Sequence, residues 1–396
     1  MTKTGALQGV RVVDATNFVF GPVATQLLGD MGADVIKIEP PSGDPTRGIG
    51  RTRSASMGSF FLNLNRNKRS VTLDLKRPES IEALVKLLKT ADIFVHNMRD
   101  SAITKLKLDY EQLSPVCPKL IYASAQGFGK GGSYFGRPAY DDVIQGMSGI
   151  AGLYERAGEK PSYFPMLLTD KLCGYFLYSA ITTALFHRER TGNGQQIAVP
   201  MLESMVSFNL LEHMSDAVFI PEGNETTENV GYSRVFGKFH RPLPTKDGYI
   251  CFIANTDAQW KRLFSVMNIG ELSNDTRFDS IGSRMKNIDA LYQIVENNLL
   301  ARSTAEWLQR FEKADLPASP VSGLNDLLKN PHLNEAKFFK RFDHASEGHL
   351  LMPDIPTSYS DSPGSIRIGP PKLGEHTYEI LDELGYSQEE ISLLCE

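Results

Sequence analysis

Cysteine is scarce in this chain: four among 396 residues, at Cys117, Cys173, Cys251 and Cys395, with no C-x-x-C pair. That spacing makes neither a zinc site nor a disulfide framework and points to a reducing, cytoplasmic compartment. The eight histidines form no H-x-x-x-H or other ligand spacing. His96 and His376 are therefore expected to be hydrogen-bonded structural residues, and no metal is expected. An excess of positive charge is also missing. A formal net charge of −5 argues against general nucleic-acid binding, because neutralising phosphates needs clustered Lys and Arg, so a phosphate-bearing ligand must use a local patch. Long apolar runs are absent too. The longest uncharged run, Leu172 to His187, falls short of the roughly 20 residues of a bilayer span and reads as a buried helix. Met1 to Leu7 lacks an apolar h-region, so neither a secretory signal nor a membrane partner is expected.

What is present is an alternation of strand and helix patterns. Val10 to Val13 reads as a short buried strand, Val23, Leu27, Leu28 and Met31 follow at helical spacing, and Val35 to Ile38 is the next strand. Val71 to Leu75, a helix opened by Pro78, Ile93 to Val95 and Leu120 to Ala123 continue the pattern. Such alternation predicts an α/β fold with a parallel sheet, its ligands at the carboxyl ends of the strands. The turn after the first strand, Asp14 to Pro22, lacks G-x-G-x-x-G, which argues against a dinucleotide cofactor. Pro221 to Glu228 is acidic and turn-rich and reads as a linker, with a second domain beginning near Tyr232. Within it, Ser303 and Glu306 have the spacing of a capping box. No internal repeat or low-complexity tract is found.

Four features can carry chemistry. Asp170 stands at the junction of Phe164–Asp170 and the apolar helix after it, almost alone as an anion. Thr169 or Asp170 can serve there simply as an N-cap. A helix start also keeps a carboxylate ionised and aims amides at an oxyanion, which suits a nucleophile. The loop Gln126-Gly-Phe-Gly-Lys-Gly-Gly132 can be an ordinary surface loop or a place where amides approach a ligand oxygen. The basic stretch Arg47, Arg51, Arg53, Arg66, Lys68, Arg69 and Lys76 can be a solvated face or a phosphate-receiving patch. Asn97, Met98 and Arg99 follow a strand end, with Lys105 two turns further on.

A set of blocks then goes beyond generic patterning: Leu7-x-Gly9-Val-Arg-Val-Val-Asp14, Gly21-Pro22, Gly32-Ala-Asp-Val-Ile-Lys-Ile-Glu39-Pro40, Asn67-Lys-Arg-Ser70, Gln126-Gly-Phe-Gly129, Pro138-Ala-Tyr-Asp141, Thr191-Gly-Asn-Gly-Gln195, Met201-Leu-Glu-Ser204, Leu373-Gly-Glu-His-Thr377 and Leu384-Gly-Tyr386. In this order they resemble the class III coenzyme A transferases, of the formyl-CoA transferase and carnitine CoA-transferase type. The resemblance implies transfer of CoA from an acyl-CoA to a free carboxylic acid through an aspartyl-CoA thioester and mixed anhydrides, with the CoA thioester as substrate and no tightly bound cofactor. It places the nucleophile on Asp170, four residues before Gly174. It places CoA contacts on Val19, Phe20, Leu73, Lys76, Asn97, Met98, Arg99, Lys105 and Arg137. The fold implied is a Rossmann-like large domain whose parallel sheet is built from both chain ends (1–215 and 331–396). With it come a linker and smaller central α+β domain (216–330), and an interlocked-ring homodimer.

The chain departs from the family pattern at named places. It reads Asn97-Met-Arg-Asp-Ser101 where many relatives read Asn-Phe-Arg-Pro-Gly, and Lys107 where a glycine is frequent. No glycine-rich run lies between Val230 and Lys246, which argues against oxalate or formyl-CoA as substrate. The expected acceptor is a small polar acid, with Arg47 and Lys130 as cations for a second carboxylate. The alternatives are an α-methylacyl-CoA racemase, whose histidine would stand where Tyr140 does, and a non-catalytic CoA-binding relative. Tyrosine, with an ordinary pKa near 10, is a poor base at neutral pH.

Overall fold

The computed structural model of the protein describes residues 5–220 and 230–395; the expected linker at 221–228 lies outside them. The chain divides into two compact units: Met1–Gly152, Ser162–Leu211 and Asn334–Glu396 form the first, and Leu153–Pro161 with Glu212–Leu333 the second. Residues 153–161, expected with the large domain, group with the small one.

In the first unit, β1 (Arg11–Ala15), α1 (Phe20–Asp30), β2 (Asp34–Glu39), β3 (Lys68–Thr72), α2 (Pro78–Leu88), β4 (Ile93–His96), α3 (Asp100–Lys105) and β5 (Ile121–Gln126) follow in order. α4 (Asp141–Met147), α5 (Leu168–Thr191), β6 (Gln195–Pro200) and α6 (Met201–His213) complete the series. The strands pair in parallel as β3-β2-β1-β4-β5-β6, the order of doubly wound nucleotide-binding sheets. Successive residues face opposite sides. Val12, Ile93 and Val95 pack with α1 and α5, and Val13 and Phe94 with α2 and the chain's end. Both faces are covered, so the central strands β1, β2, β4 and β5 are buried along nearly their whole length rather than on alternate residues.

All strands of this sheet come from residues 11–200, which corrects the expectation that both chain ends build it. The C-terminal part supplies instead a hairpin, β7 (Phe339–His344) with β8 (Gly348–Pro353), and helices α7 (Thr377–Glu383) and α8 (Gln388–Cys395). Its backbone covers the edge strand: Asn67 N–H donates to the Ile368 carbonyl, His376 N–H to that of Ser70, and Thr72 N–H to the Thr377 hydroxyl. An edge left open would be a template for association.

β3 lies three residues earlier than its apolar pattern suggested because it begins with charged residues that are inside. Lys37 and Lys68 are fully buried. Lys68 Nζ meets Asp14 at 3.1 Å and Lys37 Nζ meets Asp44 at 2.9 Å. Burial alone would raise the Asp14 pKa, but Lys68 and Lys37 reverse this and hold it near 2, while burial pulls Lys68 down to about 8. Four of the seven cations of the basic stretch are thus consumed by pairing: Lys68 with Asp14, and Arg47 with Glu39, Arg66 with Asp30 and Arg69 with Asp34, the last three at 2.7 Å. Arg51 and Lys76 are exposed.

The helix over the uncharged run is longer than expected and buried on one side only, with Cys173, Leu177, Ile181 and Ala184 inside and Tyr175, Phe176 and Phe186 exposed. The second unit is built by itself around Trp260, Phe264, Leu291, Trp307 and Phe311. It carries a three-stranded antiparallel sheet, Leu243–Pro244, Tyr249–Phe252 and Ala318–Pro320, and the Ser303–Glu306 capping box. Among the described residues no helix is long and apolar enough to cross a membrane.

Lys107 ends α3 in a left-handed backbone conformation that favours glycine. Its φ is +57°, and Lys107 N–H donates to the Thr104 carbonyl while Leu108 N–H donates to that of Ile103. This is a Schellman ending to α3, whose left-handed residue favours glycine. A left-handed side-chain-bearing residue is strained by about 1–2 kcal/mol, offset in part by the entropy a glycine loses on folding. Lys107→Gly should therefore stabilise the protein by about 0.5–1 kcal/mol; a chemical-denaturation midpoint that stays put or falls would contradict this.

Candidate active site

A cleft of about 390 Å³ opens at the carboxyl ends of the parallel strands. Its walls are Asn17 to Phe20 after β1, Asn97 to Asp100 after β4, Ala125 to Phe128 at the end of β5, and the 135–142 segment leading into α4. Asp170 and Leu167 come from the start of α5. β1 and β4 are where the strand order reverses, the position at which doubly wound sheets leave a crevice. Two asparagines join its edges: Asn97 Nδ2 donates to the Asn17 carbonyl at 3.0 Å and to Asn17 Oδ1 at 3.1 Å. Phe18 holds φ at +64°, an uncommon geometry for a bulky side chain, and its ring meets Tyr140 edge-on at 5.9 Å.

The helix carrying Asp170 is pressed against α1 at Gly174. A Cβ there would come within 2.7 Å of Val23 and 3.0 Å of the Phe20 carbonyl, so glycine lets α5 approach the β1–α1 turn. The N-cap position is Leu167, and the capping expected of Thr169 or Asp170 is supplied from outside by Asp141. Its Oδ1 accepts from Thr169 N–H at 2.8 Å, the Thr169 hydroxyl at 2.8 Å and Asp170 N–H at 3.0 Å. Its Oδ2 accepts from Gln145 Nε2 at 2.6 Å. Gln145 in turn takes Phe164 N–H at 2.7 Å on Oε1 and donates to the Met166 carbonyl at 3.2 Å.

The Asp170 carboxylate is left without a hydrogen bond among the described residues. Burial first, and then the charge of Asp141, push its pKa up to about 7. The helix start therefore does not hold Asp170 ionised as expected, because its first amides are spent on Asp141. Cys173, one turn on, is no competing nucleophile: burial and the two carboxylates push its thiol up to about 12.

Of the residues expected in the site, Asp170, Val19, Phe20, Asn97, Met98, Arg99 and Arg137 line this one cleft. Leu73 lies in the core, 2% exposed, while Lys76 and Lys105 are exposed and outside the cleft. Arg47 is not available to a substrate: its Nε and Nη2 bind Glu39 at 2.8 and 2.7 Å, and its guanidinium lies 3.7 Å from the Phe61 ring centre. His376 is hydrogen-bonded as expected, its Nδ1 accepting from Ser70 N–H at 3.2 Å. His96 is not. The Met98 backbone stands near its ring but out of hydrogen-bond geometry; the ring packs on Phe94 and Tyr122, and burial depresses its pKa to about 4. It is neutral near pH 7. Among the described residues no group of three or more His, Cys, Asp or Glu is placed to hold a metal ion.

In the glycine-rich loop, Gly129 N–H is taken by Glu203 Oε1 at 2.9 Å. Gly127 and Phe128 line the cleft, and their amides make no hydrogen bond among the described residues. Sequence reasoning gave no role to Asn17 or Gln145, and met Asp141 only as the last residue of the Pro138-Ala-Tyr-Asp141 block.

The family model described as CoA-transferase family III matches residues 7–377. A mouse succinyl-CoA:glutarate CoA-transferase is 31% identical over 98% of this chain and 89% of its own. The succinyl-CoA–L-malate CoA-transferase beta subunit of Chloroflexus aurantiacus is 32% identical over 99% and 97%. The crystal structure of a CAIB/BAIF family protein from Brucella suis superposes with a TM-score of 0.82 at 31% identity, covering 96% of this chain and all of the other. With the parallel sheet, the switch-point cleft and a match from residue 7 to residue 377 in agreement, this chain belongs to the family III CoA-transferases.

Proposed function

We propose that Asp170 is the nucleophile of a CoA transfer between an acyl-CoA and a small carboxylic acid. The observation that carries this reading is an unbonded carboxylate at the wall of the strand-end cleft, beside a thiol too basic to compete. Asp170 attacks the donor thioester carbon; the C–S bond breaks, CoA leaves as thiolate, and an acyl–aspartyl anhydride forms. The thiolate then attacks the aspartyl carbonyl, the donor acid leaves as carboxylate, and Asp170 carries CoA as a thioester. The acceptor carboxylate displaces the thiolate to give a second anhydride. Attack of the thiolate on the acceptor's acyl carbon releases the new acyl-CoA and regenerates Asp170. The tetrahedral oxyanions need donors aimed at them. The Gly127 and Phe128 amides are the ones we assign, in place of the α5 amides that Asp141 occupies. Val19, Phe20, Asn97, Met98, Arg99 and Arg137 are the residues assigned to CoA. Asp170→Asn keeps the shape and should bind acyl-CoA but lose transfer by on the order of 10³-fold or more. Hydroxylamine added with donor alone should modify Asp170 in the wild type; near-normal turnover in the variant, or no modification during active transfer, would refute the assignment.

The acceptor proposed is a small dicarboxylic acid. The names of the mouse and Chloroflexus relatives pair succinyl-CoA with glutarate and L-malate. Arg47, first considered for the second carboxylate, is committed to Glu39; Lys130 is exposed. A panel of acids assayed with a common donor should give the highest kcat/KM for short dicarboxylates; acceptance of long fatty or aromatic acids alone would overturn this.

The protein is further proposed to act as an interlocked homodimer, as the family resemblance implies. Tyr175, Phe176 and Phe186 on α5, and Phe208 and Leu211 on α6, are exposed in the single chain, the kind of apolar surface that a partner covers. Sedimentation at nanomolar concentration should show a dimer alone, and a folded monomer in reversible exchange would exclude interlocking.

A further inference from the structure

Asp170 has a neighbour for which the transfer reaction as written has no use. Asp141 is 4% exposed and stands at the first position of α4, yet it spends its carboxylate on another helix. Its partners are all donors: the Thr169 amide and hydroxyl, the Asp170 amide and the Gln145 side chain. A carboxylate has lone pairs enough on its two oxygens to accept from all four. Gln145 extends the grip to Phe164 and Met166, so the whole approach to Asp170 is tied to α4.

We propose that Asp141 is the positioning residue for Asp170: by taking the first amides of α5 on Oδ1 and Gln145 on Oδ2, it fixes the backbone of the nucleophile and withholds from its carboxylate the donors that would pacify it. This rests on the reading of Asp170 as the nucleophile. The chemistry supports the arrangement in two ways. A carboxylate of ordinary basicity, with a pKa near 4, is a poor match for expelling a thiolate whose conjugate acid lies near 8.5. Denied the helix amides and set beside a second negative charge, Asp170 is more basic and so a stronger nucleophile. Second, Asp170 loses its charge when it becomes an anhydride or thioester, so its repulsion from Asp141 is relieved as the reaction proceeds, an interaction that favours the transition state over the resting enzyme.

The proposal is tested by pH profiles of two variants. In the wild type kcat/KM should fall as pH drops through about 7, since Asp170 must be ionised to attack. Asp141→Asn keeps an oxygen for the α5 amides but removes the charge. Its acid limb should move down by on the order of one pH unit, as expected when a like charge is removed, and its plateau kcat should fall about tenfold with KM for acyl-CoA little changed. Arg99 and Asp100 after β4, Arg137, Tyr140 and Asp142 before and at the start of α4, and Cys173 on α5 are unchanged, so the shift reports Asp141 alone. Asp141→Glu keeps the charge and displaces the acceptor oxygen: its limb should stay near the wild-type value while kcat falls. Hydroxylamine trapping on Asp170 is followed in each. If the wild type gives no Asp170 adduct, the nucleophile assignment itself fails. If it does, and Asp141→Asn forms the adduct at the wild-type rate with an unmoved limb, the positioning role is overturned. Should Asp141→Asn not fold, Asp141→Glu decides, and wild-type kcat in that variant overturns the role equally.

Discussion

The first unit depends on a lattice of charges buried on β1, on β2 and the turn after it, and at the start of β3. Asp14, Lys37, Asp44 and Lys68 are all inside, and ions so placed are tolerated only when each is paired and its remaining hydrogen-bonding positions are filled. Here they are filled by the backbone that shapes the cleft. Lys37 Nζ donates to the Thr16 carbonyl at 2.8 Å, Lys68 Nζ to that of Pro22 at 3.1 Å, and the Thr25 hydroxyl to Asp14 at 2.6 Å. The turn between Thr16 and Pro22 is pinned at both ends, which is how Phe18 can be held in a left-handed conformation and Val19 and Phe20 presented at the cleft. Core electrostatics and ligand-facing loop form one construction.

At the other side of the cleft, two carboxylates share one helix start and divide its properties. Asp141 takes the amides; Asp170 takes none and is left with burial and a like charge. Environment, rather than residue type, separates a structural acid from a reactive one. The close approach at Gly174 belongs to the same arrangement, because it brings the start of α5 beside the turn held by the buried lysines.

Much of this was legible in the sequence because the strands of a doubly covered parallel sheet are apolar runs, and β1, β2, β4 and β5 fall within about two residues of their expected limits. The error at β3 has the same root. Lys68 and Arg69 look like surface residues, and nothing local says that their partners Asp14 and Asp34 lie on β1 and β2 of the same sheet. The reading of Arg47 as a substrate cation failed likewise, since Glu39 is eight residues away in sequence and reaches it only once β2 and the following turn are folded. His96 was expected to be hydrogen-bonded because histidines in folded proteins usually are; its edge-on contact with Tyr122, beside the Phe94 ring stacked on it, needs two strands in register.

By itself the sequence determined the alternation of strands and helices, and through its ordered blocks the family and the general chemistry, with Asp170 as the residue proposed to carry it. Those features are local or linear. The tertiary structure decided which charges are consumed and which remain for a ligand, which acid caps α5, and where the cleft opens. Pairing, desolvation and repulsion between carboxylates depend on distances across chain segments far apart in sequence, and those distances exist only after the sheet has ordered its strands.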